Sequence, residues 1–199
     1  MMDLEVFVER KTLWIWISIM AVLATTAAVL FITRKQSFHG VVINPPFHAA
    51  EIKLTDFNSQ PFQLRSLRGK VVLLFFGYTN CPNECPLTMA HLKRALESLG
   101  SRAQDVQVIM VTTDPARDTP EAMKRFLGKF NPNFLGLLGT PDELAKAWKD
   151  YGVTVLDNGE THSSYIYVID QNGNFRLTFQ PDDSPDDIAS DLKILLAEK

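Results

Sequence analysis

Hydrophobic patterning divides the chain into three regimes. Residues 13–32 (LWIWISIMAVLATTAAVLFI) contain no charged residue, and a run of that length suffices for a helix to cross a hydrocarbon core. Trp14 and Trp16 suit one membrane interface, and Arg10, Lys11, Arg34 and Lys35 close the two ends. Residues 34–50 hold Pro45-Pro46 and little periodicity, as a linker would. From Glu51 onward the pattern becomes regular. Ile52, Leu54, Phe62 and Leu64 predict a short hairpin, and Val71 to Phe76 (VVLLFF) is an unbroken apolar run expected of a central strand covered on both faces. Pro86 to Leu99 reads as a helix with Met89, Leu92, Leu96 and Leu99 as its buried stripe and Gly100 as its stop. Val106 to Val111 is a second core strand.

Three further helices share one start signal: Thr119-Pro120-Glu121, Thr140-Pro141-Asp142-Glu143 and Ser184-Pro185-Asp186-Asp187. Each offers a capping hydroxyl, a proline at the first helical position and acids in the first turn. The last two resemble capping boxes, with Asp187 in place of the usual Glu or Gln in the second of them. Tyr165 to Ile169 and Phe175 to Phe179 flank Asn172-Gly173, a hairpin turn. The order is β-α-β-α, an extra α, then β-β-α. Parallel strands first and an antiparallel pair last describe a thioredoxin-like α/β fold with an N-terminal β-hairpin and an inserted helix, preceded by one transmembrane helix. The expected organisation is a tail over 1–12, an anchor over 13–33, a linker over 34–50 and a domain over 51–199.

Composition narrows the function classes. The 199 residues carry a formal net charge of -3, so there is no basic excess of the kind nucleic acid requires. The acidic residues Asp3, Glu5 and Glu9 argue against a mitochondrial transit peptide, which leaves a plasma (inner) membrane location as the simpler reading. A cleaved signal peptide would have a shorter apolar region and a small-residue cleavage site, whereas this run passes directly into Thr33-Arg34-Lys35. Two basic residues flank each end, so charge alone does not orient the span.

The only two cysteines, Cys81 and Cys85, stand together in Gly77-Tyr78-Thr79-Asn80-Cys81-Pro82-Asn83-Glu84-Cys85-Pro86, after the first core strand. Open α/β sheets place their sites at that strand end. Thiolates are soft ligands for copper(I) and zinc, and they are the reactive species of disulfide exchange. A purely structural disulfide would stabilise little across so short a loop. Three residues separate the cysteines, where a thioredoxin active site has two. The helix is expected to start at Pro86, with Cys85 at the positive end of its dipole, which favours the thiolate.

A pair of thiolates leaves a coordination position open. Of the four histidines, His39 and His48 fall in the expected linker and His91 in the first helix. His162 directly precedes the strand Tyr165 to Ile169, and in a thioredoxin-like sheet the loop entering that strand faces the cysteine loop. Cys81, Cys85 and His162 thus form a three-coordinate set suited to copper(I), with the imidazole also admitting copper(II). Closed zinc sites want a fourth ligand. Met89 belongs to the core stripe, and Asp114 or Arg117 could reach the rim of the site from the end of the second core strand.

These segments resemble the Sco (SenC) family. The similarity lies in Lys70-Val71-Val72-Leu73-Leu74-Phe75-Phe76-Gly77-Tyr78-Thr79, Cys81-Pro82 and Cys85-Pro86. It continues in Asp114-Pro115-Ala116-Arg117-Asp118-Thr119-Pro120 and in His162 with Tyr165-Ile166-Tyr167-Val168-Ile169-Asp170 and Gly173. The resemblance runs from about Glu51 to the C-terminus, with Asn58-Ser59-Gln60 replacing the glycine-containing turn common in the first hairpin. It implies one copper held by Cys81, Cys85 and His162, and a copper-accepting oxidase subunit as partner. It also implies a role in assembling the binuclear copper centre of cytochrome c oxidase, by copper transfer, by reduction of that subunit's cysteines, or both. The domain would then face the periplasm or cell exterior. Two other readings use the same thiols. One is a thiol-disulfide oxidoreductase with a thiol-reducing partner. The other is a peroxiredoxin-type peroxidase, which the threonine two rather than three residues before Cys81 and the missing upstream proline disfavour. The leading reading is a metallochaperone, not an enzyme in the turnover sense.

Overall fold

The computed structural model describes residues 14, 16–26, 37–156 and 161–198. The chain divides into two compact units, Met1–Ser37 and Phe38–Lys199. In the first unit residues 16–26 are helical, with Trp16, Met20, Val22 and Leu23 exposed. The expected tail over 1–12 and most of the flanks of the expected anchor lie outside the described residues. Among the described residues no helix is long and apolar enough to cross a membrane.

The second unit contains, in chain order, β1 (Val41–His48), β2 (Lys53–Asp56), β3 (Pro61–Gln63), β4 (Val71–Gly77), α1 (Glu84–Leu99), β5 (Val106–Thr112), α2 (Pro120–Gly128) and β6 (Leu135–Leu138). It continues with α3 (Pro141–Asp150), β7 (Val155–Leu156), β8 (Thr161–His162), β9 (Ile166–Ile169), β10 (Asn174–Phe179) and α4 (Pro185–Ala197). Eight strands form one sheet in the order β1-β10-β9-β4-β5-β6-β2-β3, and β7 pairs with β8 in a separate hairpin. β4, β5 and β6 are parallel, while β9 runs antiparallel beside β4 and β10 antiparallel beside β9. This is the thioredoxin-like layer the element order predicts.

The all-buried β4 explains its sequence. Val71, Leu73 and Phe75 face α1, α2 and α4, packing with Met89, Leu92, Leu127 and Leu192. Val72, Leu74 and Phe76 face the opposite layer, built from α3 and the β2–β3 hairpin with Leu144, Leu54 and Phe62. A strand with apolar contacts on both sides has no polar face to alternate with.

The three proline-led helices begin where expected. Thr119 accepts from the Ala122 N–H, Thr140 and Glu143 form a full capping box, and Ser184 accepts from the Asp186 N–H. At the third helix the box with Asp187 gives way to a different contact, as Asp187 lies 3.5 Å from His39 Nε2.

Residues 41–48 are not a linker. They form β1 on the sheet edge, antiparallel to β10, with a register shift between Val42 and Phe47 around the prolines. An edge strand tolerates proline because one row of its backbone groups faces away from the ladder. The segment is held by a buried carboxylate as well: Asp191 accepts from the His39 N–H at 2.8 Å and the Gly40 N–H at 2.9 Å. A second unforeseen strand is β6, whose Leu-Gly-Leu-Leu sequence is too short for a periodicity. It is needed to bridge β5 and the β2–β3 hairpin.

Candidate metal centre

The site grows from the C-terminal end of β4. Gly77 closes the strand, and its carbonyl accepts from the Thr113 N–H at 2.9 Å, which joins the cysteine loop to the end of β5. The Cys81 N–H donates to the Tyr78 carbonyl at 3.3 Å, and the Cys85 N–H donates to Cys81 Sγ at 3.4 Å. Both cysteines are reduced; Cys81 is half-buried and Cys85 is fully buried. Gly77 is required by close approach, because a Cβ there would lie 2.9 Å from Cys85 Sγ and 2.5 Å from Phe75 Cε1.

The helix carrying Cys85 starts at Glu84 rather than at Pro86, with Asn83 as its N-cap. Cys85 and Pro86 therefore fall inside the first turn. The first four helical N–H groups have no intrahelical acceptor, so a proline there forfeits nothing. The expected effect of the helix dipole on Cys85 is overridden. Burial pushes the Cys85 thiol well above its ordinary range, even though hydrogen bonding at Tyr78 acts the other way. Desolvation of a thiolate in a sealed apolar pocket outweighs half a charge of dipole.

His162 sits in β8 beside the same loop. Its ring stands edge-on to Tyr78 at 5.9 Å and to Phe75 at 6.3 Å between centroids. Nδ1 lies 3.2 Å from the Ser163 carbonyl, which can only accept, so the hydrogen bond places a hydrogen on Nδ1. Ser164 Oγ donates to Glu84 Oε2 at 2.8 Å, tying the histidine segment to the residue before Cys85. Cys81 and Cys85 thus share one loop with Tyr78, and His162 meets that loop through the Tyr78 ring. Among the described residues no group of three or more His, Cys, Asp and Glu side chains is drawn together closely enough to hold a metal ion.

The other histidines have structural partners. His39 Nδ1 lies 2.8 Å from Asp191 Oδ1, His91 Nδ1 lies 3.1 Å from the Asp183 carbonyl, and His48 pairs with Asn174 in the β1–β10 ladder. Met89 is fully buried in the core. Arg117 reaches the rim: it pairs with the buried Asp114, and its guanidinium lies 5.9 Å from the centre of the Tyr78 ring.

Sequence reading missed the group that fixes the loop. Asp118, read as part of the turn leading into a helix, is 4% exposed. Its carboxylate accepts from the Thr79 N–H at 3.0 Å, Thr79 Oγ1 at 2.6 Å and Thr112 Oγ1 at 2.6 Å. Thr112 Oγ1 in turn accepts from the Asp114 N–H at 3.0 Å. This network bolts the residue two before Cys81 to the end of β5. No periodicity could reveal it, because it joins residues 39 apart.

The SCO1/SenC family model matches residues 43–197. The mitochondrial protein SCO2 of Saccharomyces cerevisiae is 34% identical over 150 residues, which cover 70% of this chain and 48% of that protein. The chain thus spans about half the length of that relative. Among solved structures, Bradyrhizobium japonicum ScoI with copper bound is 36% identical with a TM-score of 0.67, covering 75% of this chain and 100% of that one. BsSco, a member of the Sco family of cytochrome c oxidase assembly proteins in which a disulfide switch has been identified, is 25% identical with a TM-score of 0.66, over 80% of this chain and 99% of that one.

Proposed function

Because the chain belongs to the SCO1/SenC family, we propose that it is a membrane-anchored copper metallochaperone serving assembly of the binuclear copper site of cytochrome c oxidase. One copper is held by the thiolates of Cys81 and Cys85 and by Nε2 of His162. The anchor is the segment 13–33, and the domain faces the periplasm or cell exterior. The observation that supports this reading is the contact between the cysteine loop and the histidine segment: the Cys85 N–H donates to Cys81 Sγ, and the His162 ring packs edge-on to Tyr78 of the same loop.

The chemistry follows from the donor set. Two thiolates and an imidazole favour copper(I) and accept copper(II). Both sulfurs must lose protons on binding, so copper uptake releases protons. Cys81, the more exposed sulfur, meets the ion first; Cys85 and His162 then close on it as the cation replaces the proton that burial keeps on Cys85. The oxidoreductase reading assigns His162 no task. The same features make transfer to a partner simple, because a half-buried Cys81 is open to exchange with an incoming thiolate.

Copper titration of the reduced full-length protein tests the assignment. One copper(I) per chain is expected, and one copper(II) with a thiolate-to-copper absorption band. Cys81→Ser and Cys85→Ser abolish both, His162→Ala weakens binding and affects copper(II) more, and His91→Ala binds normally. Wild-type affinity in His162→Ala would remove the third ligand. For topology, proteolysis of the domain from outside spheroplasts and retention of residues 13–33 by intact mass are expected; a protected domain refutes the outward orientation.

A further inference from the structure

Beside the cysteine loop lies a cleft of about 420 Å³ whose charge is opposite to that of the whole chain. On one side it is lined by Thr79 and Asn80, the residues that lead into Cys81; on the other by Arg117, Thr119, Arg125 and Lys129, with Phe126 among its floor residues. Asp114 already engages Arg117, yet 44% of the Arg117 side chain stays exposed. Arg125 and Lys129 are exposed and have no ion pair among the described residues. The neighbouring carboxylates Asp114 and Asp118 are buried and turned into the loop network, and the exposed Glu121, one helical turn before Arg125, forms no ion pair with it among the described residues. Thr119 also places the N-terminus of α2 at the cleft, which adds partial positive charge. In a chain of net charge -3 this local excess of basic side chains is not a by-product of composition.

We propose that this cleft docks an acidic segment of the protein that exchanges copper with the Cys81–Cys85 loop. The proposal rests on the copper-chaperone reading for the purpose of docking, though not for the docking itself. Carboxylates seated on Arg125 and Lys129 place the partner against Asn80 and so beside Cys81, the half-buried sulfur. Solvent-exposed charge pairs contribute mainly to encounter rate and orientation and are screened by salt. The contact is therefore fast and reversible, as handover of a tightly held ion requires.

The test uses the full-length apoprotein in detergent and a fluorescein-labelled peptide with four glutamates and no cysteine. Its counterpart carries glutamines at the same positions. At low salt the glutamate peptide binds and the glutamine peptide does not, and 0.5 M salt abolishes the difference. Arg125→Glu with Lys129→Glu lowers binding at least tenfold, and Arg125→Gln with Lys129→Gln lowers it by a smaller factor. Lys53→Glu with Lys193→Glu changes net charge equally but lies outside the cleft, and leaves binding unchanged. Equal loss in that remote pair, or unaltered binding in the cleft pair, overturns the proposal. Competition by inorganic phosphate as strong as by the peptide assigns the cleft to a free anion and likewise overturns it. Copper titration of the same variants separates the two readings: absence of copper binding in the wild type defeats the chaperone assignment, while peptide binding still judges the docking surface.

Discussion

Removal of the Asp118 carboxylate measures how firmly the cysteine loop is held. In Asp118→Ala the Thr79 N–H and the Thr79 hydroxyl lose acceptors at 3.0 and 2.6 Å. Thr112 is less affected, since its hydroxyl still accepts from the Asp114 N–H and is free to turn. Net contributions of hydrogen bonds to charged groups are about 1.5–3 kcal/mol, so the two bonds to Thr79 together give a loss of about 3–6 kcal/mol. In Asp118→Asn an oxygen still faces Thr79 while the amide nitrogen faces Thr112, and only the charge assistance is lost, about 1–2 kcal/mol. For a folded unit of this size each kcal/mol lowers Tm by about 2–4 °C, so Ala is expected near 10 °C or more below wild type and Asn about 4 °C below. Urea denaturation of the reduced full-length protein gives the free energies, and copper(I) competition titration gives the affinity. Copper affinity falls with the loop: Ala more than Asn, with no change in stoichiometry. A loss under about 0.5 kcal/mol for Ala, or a stability loss with wild-type copper affinity, refutes the claim that this network positions Cys81.

Gly77→Ala drives a methyl group into Phe75 and Cys85 Sγ. Overpacking of this kind costs about 1–3 kcal/mol, and weaker copper binding accompanies it; an equally stable variant with unaltered affinity removes the close-approach argument. The hydrogen bond to Asp191 raises the pKa of His39 above its ordinary 6.5. The stability from that pair is therefore fully present below pH 6.5 and lost as pH rises through the raised value. His39→Ala should be less stable than wild type at pH 5.5, with the gap closing by pH 9, because the backbone N–H bonds of residues 39 and 40 to Asp191 survive the substitution. A gap that widens with pH contradicts it. Oxidised apoprotein, with Cys81 and Cys85 joined, should take up no copper until a reductant is added, as the bond consumes both thiolates. Efficient peroxide turnover that survives His162→Ala would favour a thiol enzyme instead.

What local sequence determines here is the central strands, the helix starts and the residue types available for chemistry. A short apolar run with no alternation and rich in β-branched and aromatic residues, such as Val71 to Phe76, reads as a strand covered on both faces, and each Thr-Pro or Ser-Pro pair followed by acids marks a helix start through its own capping and dipole interactions. The paired cysteines and the histidine before β9 are soft and borderline donors by side-chain chemistry, so they can be proposed as ligands without coordinates. Tertiary structure decided the rest, because the physical causes lie far apart in the chain. β1 exists because β10 and Asp191 complete its hydrogen bonds, and an isolated segment with two prolines gives no sign of that. Burial of the Cys85 sulfur against Gly77 raises its pKa, a desolvation that outweighs the helix dipole its position suggests. Asp118 holds Thr79, and Ser164 holds Glu84, across separations of 39 and 80 residues. Ligand identity is a property of single residues, whereas protonation and placement belong to the packed environment that only the folded chain creates.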